Sequence, residues 1–85
     1  MLANDMRKGQ MGTLKDTRWR FRIEDNLRGM TRLATVWGLF TEMGSIYVHD
    51  IAYLDGPNGP EPLDLTPEQQ KKASKIKAME ASLWG

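Results

Sequence analysis

Three arginines at alternate positions, Arg18, Arg20 and Arg22, are the residues of this sequence best suited to bind a charged ligand. In an extended strand, side chains two positions apart share one face and stand about 6.6–7 Å apart. Phosphates along a single nucleic-acid strand are spaced comparably, and guanidinium groups bind phosphate through two parallel hydrogen bonds. Arg28 and Arg32 follow closely in the chain. The five arginines are therefore a candidate nucleic-acid-binding site.

The residues between these arginines are large and apolar, so residues 18–24 alternate in character without a break. In a strand, Trp19, Phe21 and Ile23 share one face, whereas in a helix they would spread around the cylinder. The pattern predicts a half-buried β-strand. It also leaves a second interpretation of the arginines open, as a solvated sheet face that pairs with Glu24 and Glu42 across strands.

The overall composition is nearly neutral, with 12 Lys and Arg against 11 Asp and Glu and a net charge of +1. A dedicated nucleic-acid binder is usually strongly basic. The charges are unevenly distributed, because residues 33–64 contain no Lys or Arg. Cysteine is absent, which excludes disulfides and thiolate metal sites.

The sequence offers little catalytic chemistry. His49 and Asp50 are its one imidazole–carboxylate neighbour pair, and in a strand two adjacent side chains point to opposite faces. The serine at Gly44-Ser45-Ile46 lacks the nucleophile-elbow pattern, and no phosphate-binding glycine loop is present. We therefore predict that the protein is not an enzyme and needs no metal or cofactor.

No segment has the length and apolar character of a membrane helix, and no signal-peptide pattern opens the chain. We expect a cytoplasmic protein with no membrane partner.

The predicted strands are short and separated by turns, which is typical of a small barrel or sandwich. They cover residues 10–14, 18–24, 31–40 and 45–53, with turns at 25–29 and 41–44. Gly29 supplies the left-handed conformation that a hairpin loop needs. The predicted core consists of Trp19, Phe21, Ile23, Leu33, Ile46 and Val48.

Three prolines and two glycines within residues 55–62 mark the end of the predicted sheet. We therefore divide the chain into a β-barrel domain at residues 1–55, a connector at 56–65 and a C-terminal amphipathic helix at 66–85. The helix begins with Thr66 as the N-cap, Pro67 at the first position and Gln69 completing a capping box.

An apolar stripe runs along the predicted helix, because apolar residues recur at spacings of three and four. An isolated helix of this length is marginal in water, so we expect the stripe to dock on the barrel, on a second copy or on a protein partner. A membrane-surface role is less favoured because the stripe is narrow. The candidate partner-binding residues are Ile76, Met79, Leu83 and Trp84.

The order of elements resembles an SH3-like β-barrel with a helical appendage, and residues 8–14 (KGQMGTL) are similar to the K-G-x-x-G-x-V stretch of KOW-type barrels. Leu14 replaces the usual valine. This resemblance implies a module that binds RNA or proteins of transcription and translation.

Residues 25–29 (DNLRG) and 43–51 (MGSIYVHDI) also look like small proteins of tailed bacteriophages. This second resemblance implies an accessory protein in the cytoplasm of the infected bacterium or a minor virion component.

The expected fold is mainly β, a small SH3-like antiparallel barrel of four or five strands with one C-terminal α-helix. An open sheet with the helix packed across one face is the alternative.

The first functional hypothesis is a non-enzymatic protein-interaction module that binds or inhibits a host bacterial protein. The second is a nucleic-acid-binding barrel that uses the arginines, and the third is a structural role in a capsid or tail, with the helix joining identical copies.

Overall fold

The computed structural model describes residues 1–26 and 29–84, with side chains up to Leu83. Within these residues the structure contains six β-strands, two short 3-10 helices and one α-helix. In chain order these are η1 (Ala3–Asp5), β1 (Met11–Leu14), β2 (Arg20–Asp25), β3 (Thr31–Trp37), β4 (Thr41–Tyr47), η2 (Val48–Asp50), β5 (Ile51–Gly56), β6 (Gly59–Glu61) and α1 (Pro67–Trp84).

All six strands belong to one antiparallel sheet with the order β4-β3-β2-β1-β5-β6. The first four strands follow each other as a meander, and η2 then carries the chain back so that β5 pairs beside β1. The prediction of a mainly β fold with a C-terminal helix is confirmed. The structure has six strands rather than the predicted four or five, and its sheet is open, because β4 and β6 lie at opposite edges.

One face of the sheet carries the core. Phe21, Ile23, Ala34 and Leu54 are fully buried there, and the 3-10 segments and the N-terminal residues pack against them. Gly12 lies beneath the ring of Phe21, since a Cβ at this glycine would come within 2.7 Å of the ring atom Cζ. The alternation in β2 therefore predicted the inward face of that strand correctly.

Two residues of the predicted core are not buried. Leu33 is half-buried, because β3 turns Arg32 and Ala34 inward and pairs Leu33 with Ser45 on the other face. Trp19 is 39% exposed, because it precedes β2 and lies at an end of the sheet that is incompletely covered. The other four residues, Phe21, Ile23, Ile46 and Val48, are buried as predicted.

Several predicted boundaries differ from the structure. The β3–β4 turn occupies residues 38–40, where the Gly38 amide donates to the Phe40 carbonyl at 3.1 Å, so the predicted turn at 41–44 lies inside β4. The predicted strand at 45–53 is interrupted by η2. The predicted connector contains β6, because Gly59 adopts a φ of 111° and an edge strand tolerates the proline at position 60.

The start of α1 is as predicted. The backbone amide of Gln69 donates to Thr66 Oγ1 at 3.2 Å, and the backbone amide of Thr66 donates to the side-chain Oε1 of Gln69 at 3.0 Å. These two hydrogen bonds complete the capping box. Gln69 and Ala73 are buried, Ile76 is half-buried, and residues 77–83 are exposed. No helix in the described part of the chain is long and apolar enough to cross a membrane.

Candidate interaction surface

The arginines of β2 lie on the face opposite the core, where each already binds a carboxylate. Arg20 reaches across β1 to Asp55 on β5 and makes two hydrogen bonds to it, one of them from Nη1 to Oδ1 at 2.8 Å. The same Nη1 donates to Thr13 Oγ1 at 3.0 Å. The hydrogen bonds from Arg20 lower the pKa of the Asp55 carboxyl below its usual value.

Arg22 binds a carboxylate of its own strand. Its Nε lies 2.6 Å from Glu24 Oε1, and this hydrogen bond is the main cause of the lowered pKa of Glu24. The Arg22 guanidinium also lies over the ring of Trp37, 5.4 Å from its centroid. The exposed pair with Glu24 agrees with the solvated-face interpretation, but it forms within β2 and not across strands. Glu42 is paired in register with Val36 on the core side of the sheet.

The remaining predicted arginines do not extend this row. Arg18 is exposed, but it precedes β2 and has a φ of 61°. Arg32 is fully buried on the core side, with hydrogen bonds to Asn4 and Asn26 and to the carbonyls of Gly29 and Thr31. Arg28 lies outside the described residues. The structure therefore brings Arg20 and Arg22 together and separates Arg18 and Arg32 from them.

The predicted helix stripe is mostly exposed. Ile76 is half-buried, and Met79 and Leu83 are exposed. The side chain of Trp84 lies outside the described part of the structure. The described part of this stripe presents apolar surface that its own sheet does not cover.

The histidine–carboxylate pair has a different setting from the predicted one. His49 and Asp50 belong to η2 and not to a strand, and His49 Nε2 is 4.0 Å from Asp50 Oδ1. The His49 ring is buried and stacks on Tyr47 with 4.9 Å between centroids. Among the described residues, no group of three or more His, Cys, Asp or Glu side chains could hold a metal ion.

Two adjacent large apolar residues are exposed at the β3–β4 turn. Leu39 is 86% exposed and Phe40 is 76% exposed. Beside them the Trp19 indole rests on Gly38, where a Cβ would come within 2.7 Å of the ring. A shallow cavity of about 200 Å³ opens between these residues, with Val36 and Glu42 completing its wall.

This surface continues along β4 on the core side of the sheet. A second cavity of about 270 Å³ shares Trp19, Val36 and Glu42 with the first and extends to Leu14 and Ile46. No atom outside its chain neighbours lies within 4 Å of a Cβ placed on Gly44, so the middle of β4 leaves this cavity open. We call the two cavities together the apolar groove, whose apolar walls are formed by Leu14, Trp19, Val36, Leu39, Phe40 and Ile46.

The groove runs beside a free sheet edge. The Val48 amide donates to the Met30 carbonyl at one end of the β3–β4 ladder, and the Gly38 amide donates to Phe40 at the other. Hydrogen-bonded pairs alternate in an antiparallel ladder, so this register directs the amides and carbonyls of Glu42, Gly44 and Ile46 toward β3. The backbone groups of Thr41, Met43 and Ser45 therefore point away from the sheet.

The only formal charge on β4 is negative. Glu42 is exposed, lines both cavities and makes no salt bridge with a described residue. No Lys or Arg occurs in residues 33–64, which include β3 from Leu33 onward and all of β4. The groove thus combines apolar walls with a carboxylate that forms no ion pair within the described part of the chain.

The sequence interpretation missed this surface because it assigned Leu39 and Phe40 to a strand. A signal was present, since two adjacent large apolar residues directly after Gly38 break the alternation of β3. Such a break next to a glycine is more typical of an exposed turn than of a buried strand. No protein-family model, curated protein sequence or solved structure matches this chain.

Proposed function

We propose that this protein is a non-enzymatic protein-interaction module. The observation that carries the proposal is the exposure of Leu39 and Phe40 beside Trp19, at the end of the apolar groove. Contiguous exposed apolar surface on a small domain is typical of a binding site, and large aromatic side chains dominate the energetics of such interfaces.

Site-specific photo-crosslinking in bacterial cells tests this function. A photoreactive phenylalanine analogue replaces Phe40 in one variant and the exposed Asn58 of the β5–β6 turn in a control. We expect a discrete cross-linked partner from position 40 that position 58 does not give. The purified partner should then bind the double variant Leu39→Ala/Phe40→Ala about tenfold or more weakly than the unchanged protein.

Two outcomes would contradict the proposal. One is the absence of any partner specific to position 40. The other is equal affinity of the double alanine variant and the unchanged protein for the cross-linked partner. Asn58→Ala serves as the matched control for purification and folding.

The exposed helix stripe is included in the proposal as a second contact surface, because Met79 and Leu83 lie on the exposed half of α1.

We also propose that the module has an SH3-like strand arrangement and acts on a host protein in the bacterial cytoplasm, as a bacteriophage accessory protein. The return of β5 to the side of β1 supports the first point, and the likeness of residues 43–51 to phage proteins supports the second.

Nucleic-acid binding stays an alternative proposal, with Arg22 stacked on the partly exposed Trp37 as its best supporting contact. Its support is weaker because Arg20 and Arg22 already bind carboxylates. Fluorescence anisotropy with labelled DNA and RNA at roughly 50 and 200 mM salt tests it, since phosphate contacts weaken steeply over that range.

A role in a capsid or tail is tested by light scattering, where a strict monomer at high concentration would count against it.

A further inference from the structure

We propose that the partner binds by adding an extended segment to the free edge of β4, with alternate side chains of that segment entering the apolar groove. This inference rests on the proposed function and specifies its binding mode. The partner segment is an extended stretch of another protein that carries a large apolar residue and, two positions away on the same face, a Lys or Arg.

The backbone of β4 supplies the first reason. Thr41, Met43 and Ser45 direct their amides and carbonyls outward, at the spacing that a further antiparallel strand requires. Among the described residues, no hydrogen bond is made by these outward groups. Exposed strand edges are the usual template for strand addition by a peptide.

The side chains beside the edge supply the second reason. Successive residues of an added strand point alternately to the two faces, so every second side chain lies on the groove side. Gly44 has no side chain and has open space at its Cβ position. A long apolar side chain opposite Gly44 can therefore pass over it and reach the walls formed by Trp19 and Ile46.

The negative charge of Glu42 on β4 favours a partner segment that carries a basic residue. A Lys or Arg opposite Glu42 would neutralise a carboxylate that otherwise loses water beside an apolar groove. A second copy of this chain is less suitable, because its β4 would bring another Glu42 and no basic residue to the same edge. The structure therefore favours a different protein with a basic and apolar segment.

The test begins with selection of peptides from a random dodecapeptide library on the immobilised full-length protein. The best peptide is synthesised, and its affinity is measured for the unchanged protein and for Met43→Pro, Met43→Ala and Gly44→Leu. Proline at position 43 removes an outward amide and leaves the β3 ladder intact, because the Met43 amide does not point toward β3. Alanine at the same position keeps the amide and controls for the lost side chain.

We expect selected peptides enriched in Lys or Arg two positions from a large apolar residue. Met43→Pro should weaken binding about tenfold or more, and Met43→Ala by less than about threefold. Gly44→Leu should also weaken binding, because it closes the passage into the groove without touching a backbone amide. Methylation of the peptide amides that face β4 should abolish binding, whereas methylation of those that face away should not.

The inference is overturned if no peptide is enriched, if Met43→Pro binds as well as Met43→Ala, or if the enriched peptides lack basic residues. It is also overturned if the protein forms a dimer that Met43→Pro dissociates, since the partner would then be a second copy. The variant Leu39→Ala/Phe40→Ala separates the two proposals. If it loses the cross-linked partner while Met43→Pro retains that partner, the interaction surface stands and strand addition fails.

Discussion

The guanidinium of Arg20 on β2 spans the intervening strand β1 and binds the carboxylate of Asp55 on β5 through both of its terminal nitrogens. The contact joins the meander of β1–β4 to the returning strand. It also explains why this arginine is held on the sheet surface, because two hydrogen bonds and a third to Thr13 fix its orientation.

The Arg20–Asp55 pair predicts a pH-dependent contribution to stability. The pKa of Asp55 is lowered in the folded protein, so the folded state binds fewer protons there than the unfolded state does. The stabilisation is therefore present above the unfolded pKa of about 3.9 and is lost as the pH falls through the lower folded value. Asp55→Asn should reduce the free energy of unfolding at pH 7 by about 0.2–1 kcal/mol, because both side chains are nearly half exposed and water screens their attraction.

Urea unfolding at a series of pH values checks this effect. The difference between Asp55→Asn and the unchanged protein should shrink below about pH 4, since the protonated carboxyl no longer pairs. A difference that stays constant down to the lowest pH would show that the pair is not its source.

Two strand glycines predict opposite responses to the same substitution. At Gly12 a Cβ would lie 2.5 Å from the Tyr53 carbonyl oxygen and against the Phe21 ring, so Gly12→Ala should destabilise the fold by about 1–3 kcal/mol. At Gly44 the corresponding space is open, and Gly44→Ala should be neutral or stabilising by up to about 1 kcal/mol. Thermal unfolding of the two variants, measured side by side, tests whether Gly12→Ala has the lower melting temperature. Equal melting temperatures would contradict the close packing at Gly12.

The buried Arg32 predicts a large loss of stability on truncation. Its guanidinium donates to Asn4 Oδ1 at 2.9 Å and to the Thr31 carbonyl at 2.7 Å, while Asn26 donates to the Met6 carbonyl at 2.6 Å. Arg32→Met would leave Asn4 Oδ1 and the Thr31 carbonyl without the donor that Arg32 supplies and should lower the free energy of unfolding by about 2–5 kcal/mol.

Arg22→Met is the matched control, because Arg22 is about half exposed and its variant should change stability by less than about 1 kcal/mol. Chemical denaturation of both proteins compares the two sites. Similar losses in the two variants would mean that the interior network around Arg32 contributes little.

The capping box predicts a local effect on α1. Thr66→Ala removes the acceptor for the Gln69 amide and should destabilise the helix by about 1 kcal/mol, whereas Thr66→Ser keeps a hydroxyl and should stay within a few tenths. Hydrogen exchange of the first-turn amides of α1 measures this directly. Unchanged exchange in Thr66→Ala would indicate that the burial of Gln69 and Ala73 holds the helix start by itself.

Features that depend only on residues close together in the chain could be predicted from the sequence. The alternation of β2 specified Phe21 and Ile23 as inward residues, because a strand places every second side chain on the same face. Thr66 and Gln69 specified the start of α1, because a capping box depends only on residues within one turn. The left-handed conformation of Gly29 was equally local, with a φ of 101°.

The buried face of β3 and the open form of the sheet depend on contacts between residues far apart in the chain, so they became clear only from the folded protein. Period-two alternation is equally satisfied by Leu33 or by Arg32 facing the core, and the arginine faces inward because Asn4 and Asn26 bind its guanidinium there. The exposure of Trp19 likewise depends on what covers the end of the sheet, since this residue lies on the same side as Phe21 but beyond the packed segments. The free edge of β4 and its groove follow from strand order, which long-range pairing sets and local spacing does not encode.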